Sequence, residues 1–109
     1  MRQIVFDEIN SRDVRKIKDY LSQHFEESMP GLYWINLSDD LLDETQFQHR
    51  SCQPFYFAIE VGNNYVKIEL LIRSRKRLRC SCIKYANEAQ RNFILHFADK
   101  LIEDLNIRT

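Results

Sequence analysis

"PFYFAIEVGNNYVKIELLI", residues 54 to 72, places Phe55, Phe57, Ile59 and Val61 at every second position, and Val66, Ile68, Leu70 and Ile72 likewise. A period of two puts each set on one face of a strand. Gly62-Asn63 between the two runs is the signal for a two-residue hairpin turn. With the turn there, Ile59 opposes Val66, Phe57 opposes Ile68 and Phe55 opposes Leu70, so one face of the hairpin is apolar throughout. A slip of one residue would set Phe57 against Glu69, which fixes the parity.

The same parity extends into the next stretch, "RSRKRLRCSC" at 73–82. If Ile72 pairs with Leu78, then Leu70 meets Cys80 and Ile68 meets Cys82, and a third strand continues the inner face with residues 73–77 as its tip. Tyr56, Ala58, Tyr65, Lys67, Glu69, Leu71, Arg79 and Ile83 then point the other way.

The flanking segments read as helices and one further strand. Ser11 is placed to cap a helix in which Val14, Ile17, Leu21 and Phe25 recur at helical spacing, ending at "MPG" (29–31). Ile4 to Phe6 is a candidate short strand, and "LYWINL" (32–37) reads as another from its aromatic and β-branched content. Residues 38–53 are too long for a plain connection, and Ser38 followed by Asp39 and Asp40 suggests a short helical turn. Asn87 with Gln90 has capping-box spacing, and Phe93, Ile94, Phe97, Ala98, Leu101, Ile102 and Leu105 form a broad apolar stripe behind it. Two apolar helix stripes and one apolar sheet face call for each other. The expected fold is a single α+β domain over 1–109, a two-layer sandwich with a mainly antiparallel sheet of three to five strands and two helices packed on one face.

A chain of 109 residues can bury a real core without metal or disulfide staples. Hydrophobic residues at 44% and charged residues at 29% are those of an ordinary globular protein. The longest apolar run, Phe55 to Ile59, is far too short to span a membrane, and charge arrives too early in "MRQIVFDEINSRD" for a secretory signal. Three cysteines, an odd number, suit reduced thiols in a reducing compartment. A cytoplasmic protein is expected, with no membrane contact.

Two glycines, Gly31 and Gly62, leave no phosphate-cradling loop, and His24, His49 and His96 lie in separate segments with no nucleophile elbow. No catalytic residues are assigned and no enzyme is expected. A zinc site would have to combine His49 and Cys52 ("HRSC") with Cys80 and Cys82 ("CSC"). On a regular strand the C-x-C spacing separates the Cα atoms by roughly 6.6 Å and needs bending to converge. Cys80 and Cys82 are therefore expected as small buried hydrophobes, with no metal and no cofactor.

Charge is zero overall but polarised: five acids to one base over 38–64, seven bases to one acid over 65–85. Arg73, Arg75, Lys76, Arg77 and Arg79 form a candidate polyanion-binding tip, although no aromatic residue is interleaved for base stacking. The helix, three-strand, helix order resembles the double-stranded-RNA-binding domain in topology. That family's second helix opens with lysines where this chain has "NEAQR", and residues 32–53 have no counterpart, so the family is not assigned. The outer sheet face, with Trp34, Tyr56, Tyr65 and Leu71, is the candidate site for a protein partner or a second copy. A small non-enzymatic interaction module is the leading expectation; nucleic-acid or polyanion binding through 73–79 is the alternative.

Overall fold

The 54–72 stretch does form the centre of the sheet, in a register two residues removed from the one expected. In the computed structural model, which describes residues 1–109, β4 (Phe55–Val61) pairs with β5 (Val66–Glu69), with Val61 opposite Val66 and Ile59 opposite Ile68. The connection is thus Gly62 to Tyr65, closed by the Gly62 N–H donating to the Tyr65 carbonyl at 2.9 Å. A two-residue hairpin turn of the type signalled by Gly-Asn needs positive φ at its glycine, and Gly62 does not have it. Because the shift is even, every side chain keeps its expected face.

Around this pair the order is β1 (Gln3–Phe6), α1 (Ser11–His24), β2 (Glu26–Met29), β3 (Leu32–Asn36), α2 (Glu44–Gln48), β4, β5, β6 (Leu71–Ser74), β7 (Lys84–Tyr85) and α3 (Glu88–Asp104). The fold is α+β, and its antiparallel sheet of seven strands exceeds the expected three to five. β1, β5, β4, β3 and β2 lie side by side in that order; β6 also pairs with β4, and β7 with β6. β5 and β6 are one strand bent at Leu70. Between the pairs Ile59–Ile68 and Tyr56–Arg73, residues 69–72 face only residues 57–58, a bulge that again preserves parity. The backbone of Leu70, turned from β4, donates to Arg2 O at 3.0 Å and accepts from Ala86 N–H at 2.8 Å.

The inner face carries Tyr33, Ile35, Phe55, Phe57, Ile59, Val66, Ile68 and Ile72, all buried against Val14, Ile17 and Leu21 of α1 and Ile94, Ala98 and Leu101 of α3. Each such side chain contributes about 1.5–3 kcal/mol by leaving water. Phe57 meets Phe93 and Phe97 edge-on at centroid distances of 6.4 and 5.8 Å. The two long helices share this face, as the apolar stripes require. No helix is long and apolar enough to cross a membrane.

Three local expectations change, while the short helical turn expected after Ser38 is present within a longer ordered segment. Helix α1 is capped by Asn10 rather than Ser11: the Asn10 side chain accepts from Asp13 N–H at 2.8 Å. β2, absent from the sequence reading, forms a hairpin with β3 through Pro30 and Gly31, whose φ of 81° needs a residue without Cβ. Residues 38–53 hold two single-turn 3-10 helices, Asp39–Leu41 and Arg50–Cys52, on either side of α2, which is capped by Asp43. The expected third strand through Leu78, Cys80 and Cys82 is replaced by a loop over 75–83, after which Ile72 pairs with Lys84 and Leu71 with Tyr85. Leu78 is 97% exposed, so it does not continue the inner face. The reason lies on β6, where Arg73 stays in the ladder opposite Tyr56, which delays the turn.

Three buried polar side chains hold the 38–53 segment and the 75–83 loop in place. Gln46 Nε2 donates to Cys82 O at 3.1 Å, and Gln90 Nε2 donates to Leu41 O at 2.9 Å and to Gln46 Oε1 at 2.8 Å. Ser74 Oγ donates to Cys52 O and accepts from Lys76 N–H and Arg77 N–H at 3.1 and 3.0 Å. No buried side-chain N or O lacks a partner, which is what a specified core demands.

Candidate functional site: the open sheet face

No helix lies over the outer face, where Gln3, Val5, Glu26, Asn36 and Glu60 are exposed. Its centre is built on the β3–β4 register: Trp34 opposes Ala58 and Asn36 opposes Tyr56. The small side chain of Ala58 leaves the indole room to lie along the sheet, and Trp34 stacks on Tyr56 at 4.5 Å and 28°.

Arg75 closes this stack. Its guanidinium carbon lies 5.0 Å from the Trp34 ring centre and 5.4 Å from that of Tyr56. Nε donates to Asn36 Oδ1 at 2.7 Å and Nη1 to Glu26 Oε1 at 2.8 Å, while the Arg75 N–H is tied to Pro54 O at 3.0 Å. Planar donors and a weakly hydrated cation over an aromatic face are what arginine offers and lysine does not. Tyr56 is buried beneath it; burial raises its hydroxyl pKa, which the charges of Arg73 and Arg75 oppose.

Further along the face Arg73 Nη2 pairs with Glu69 Oε1 at 3.0 Å. The Tyr65 hydroxyl donates to Glu60 Oε2 at 2.6 Å, which raises its pKa, and Lys67 Nζ sits 4.8 Å from the Tyr65 ring centre. Leu71 is half-buried on the same face, opposite Tyr85 of β7. Trp34, Tyr56, Tyr65 and Leu71 therefore do share one sheet face. What the sequence reading missed is that Arg75 belongs with them, joined by Asn36 and Glu26. Its signal was hidden, because Glu26 lies on the unrecognised β2.

The five cations of 73–79 separate. Arg73 and Arg75 are engaged with carboxylates on the sheet, while Lys76, Arg77 and Arg79 are exposed on the loop. Of the histidines, His24 and His96 are exposed on helices, and His49 follows α2 with Nδ1 2.6 Å from Thr45 O.

Cys52, Cys80 and Cys82 come together, with their sulfur atoms within 4.8 Å of one another. Of the two cysteines expected to be buried, Cys82 is and Cys80 is half-exposed, because the strand that would have turned it inward is replaced by the loop; Cys52 is buried as well. The C-x-C pair converges because residues 81–82 form a turn and not a strand. The Cys82 backbone and thiol hydrogen-bond the Cys80 sulfur and hold its pKa down to about 7; burial pushes the Cys82 thiol up to about 12.

No family model, curated protein or solved structure matches this chain.

Proposed function

We propose that the chain is a non-catalytic interaction module that binds a second copy of itself through the open sheet face. The observation that carries this reading is the Trp34–Tyr56–Arg75 stack at the centre of a face no helix covers. Aromatic rings and arginine are the residue types that anchor interfaces when water is excluded around them. The charges of the face are paired within it, Arg75 with Glu26 and Arg73 with Glu69, with Lys67 opposite Glu60 in the ladder. An identical face therefore meets no excess of like charge, and a formal net charge of zero adds no long-range repulsion between copies. Such a contact is isologous, closing as a two-fold dimer.

Sedimentation velocity over a concentration series tests this. The wild type should shift from monomer to dimer; Trp34→Ala and, at Leu32, which opposes Glu60 on the same face, Leu32→Lys should both stay monomeric with unchanged far-ultraviolet circular dichroism. A wild type that remains monomeric across the series removes the self-association reading.

Polyanion binding is the second reading, supported by the exposure of Lys76, Arg77 and Arg79 on one loop. Three phosphate contacts would give a log–log salt slope of about −3 on duplex DNA. Fluorescence anisotropy of a labelled oligonucleotide across a salt series measures it. The Lys76→Ser, Arg77→Ser, Arg79→Ser triple variant should abolish both binding and slope; absence of wild-type binding at low salt ends this reading.

A further inference from the structure

Three thiols from two distant segments of the chain are brought together by a scaffold of neighbouring residues. Cys52 closes the 3-10 turn Arg50–Cys52, and Cys80 and Cys82 flank the turn before β7; the sulfurs lie within 4.8 Å of one another. A tetrahedral zinc with Zn–S bonds of about 2.3 Å needs sulfurs about 3.8 Å apart, so the three must close by no more than about 1 Å. That contraction lies within the reach of side-chain rotation at half-exposed Cys80.

Around the thiols, the backbone is fixed by other residues. Ser74 Oγ binds Cys52 O, Gln46 Nε2 binds Cys82 O at 3.1 Å, and Lys84 Nζ pairs with Asp43 Oδ2 at 2.6 Å between the loop and the cap of α2. Such outer contacts orient ligands before any ion arrives.

His49 caps the 3-10 turn that ends in Cys52, and the Cys52 N–H donates to His49 O at 2.9 Å. Its Nδ1 lies 2.6 Å from Thr45 O, an acceptor, so Nδ1 carries the proton and Nε2 keeps its lone pair. An imidazole that donates from one nitrogen to a backbone carbonyl is the arrangement that frees the other for a metal.

We infer that Cys52, Cys80 and Cys82, with His49 as fourth ligand, form a structural zinc site that clamps the 75–83 loop to the Arg50–Cys52 turn. Each thiol binds as thiolate, so loading releases up to three protons to solvent. Three thiolates on Zn²⁺ leave one negative charge. Four protein ligands close the coordination sphere, which makes the site structural and not catalytic.

The test uses the full chain, purified reduced and without chelator, with metal content measured by plasma mass spectrometry. One zinc per chain is expected. Cobalt added to the reduced, metal-free chain should give the thiolate-to-cobalt charge-transfer band in the near ultraviolet and the intense visible bands of a tetrahedral ion, and zinc should bleach both. Cys80→Ser, at the half-exposed position where folding is least at risk, removes one of three thiolates and should lose about a third of the charge-transfer intensity per bound cobalt. His49→Ala should lower cobalt affinity by more than about tenfold, the lower bound for losing even an outer partner. A chain that carries no zinc and gives no charge-transfer band overturns the site. So does a native chain two hydrogens lighter before reduction, which would mean that two of the thiols form a disulfide. Unchanged bands and affinity in His49→Ala remove His49 from the ligand set.

Discussion

Gln90 Nε2 donates to Gln46 Oε1 at 2.8 Å, and each of the two glutamines is also the third helical residue of its own capping box. One buried contact thus joins the starts of α2 and α3. Gln46 reaches on to Cys82 O and Gln90 to Leu41 O, so the pair fastens the 38–53 segment to the rest of the core.

Gln90→Ala should therefore destabilise the fold by about 2 kcal/mol or more, since it leaves Gln46 Oε1 and Leu41 O short of a donor and breaks a cap. Gln46→Ala should cost a similar amount, and the double variant less than the sum, with a coupling of about 0.5–3 kcal/mol. Urea denaturation of the four proteins measures it. Strict additivity would show that the two amides act separately.

Arg75 and Arg77 differ in sequence position by two and in environment entirely. Arg75→Ala should destabilise by about 1–2 kcal/mol, the combined scale of a cation–π contact and a partly exposed ion pair, whereas Arg77→Ala should stay within about 0.5 kcal/mol. Thermal melts of the two variants separate them; equal, negligible effects would mean that Arg75 is not seated on Trp34 and Tyr56 in solution.

The Asp13 carboxylate has a lowered pKa because the Arg108 N–H donates to it and Lys16 pairs with it, against an opposing effect of burial. A folded pKa below the unfolded one gives stability that is present above the unfolded value of about 3.9 and lost as pH falls through the folded value. Asp13→Asn should accordingly lower the melting temperature at pH 7, and the gap to wild type should narrow below about pH 4. A gap that is constant with pH would assign the effect to shape and not to charge.

Phe57→Ala removes a fully buried ring at the meeting of β4 and α3 and should cost about 3–5 kcal/mol. Tyr65→Ala, on the outer face with one hydrogen bond to Glu60, should cost much less. Chemical denaturation decides; equal losses would mean that the outer face is covered after all.

The α+β class and the side of the sheet that each apolar residue of 55–72 occupies were legible in the sequence because they depend on parity, and parity survives even-numbered errors. The hairpin register was misread by two and the strand bulges at Leu70, yet Phe57, Ile59, Val66 and Ile68 remain inside. The capping box of α3 was legible because Asn87 and Gln90 are local partners. β2 was not, since Glu26, Glu27, Ser28 and Met29 are all exposed and carry no alternation. Cys52, Cys80 and Cys82 could be named together from the sequence, but their convergence was not legible: it depends on a turn at 81–82 and a 3-10 turn at 50–52, neither of which has a hydrophobic period. Arg75 looked like part of a solvated charge run, and its contacts with Trp34, Tyr56, Asn36 and Glu26 show otherwise.

The two margins of the sheet are built unlike its middle. On one, β2 presents four exposed residues, including Glu26 and Glu27, and its register with β3 shifts between Glu27 and Met29. On the other, β1 and β7 are short pieces along the bent β5–β6 strand, and Arg2 sits over the Tyr85 ring where they meet. A stray strand seeking to add itself would find paired carboxylates and a broken ladder on one side, and no long straight run of free backbone on the other. The fold thus resists amyloid-like stacking at its borders, and its broad aromatic surface can stay open without inviting runaway polymerisation.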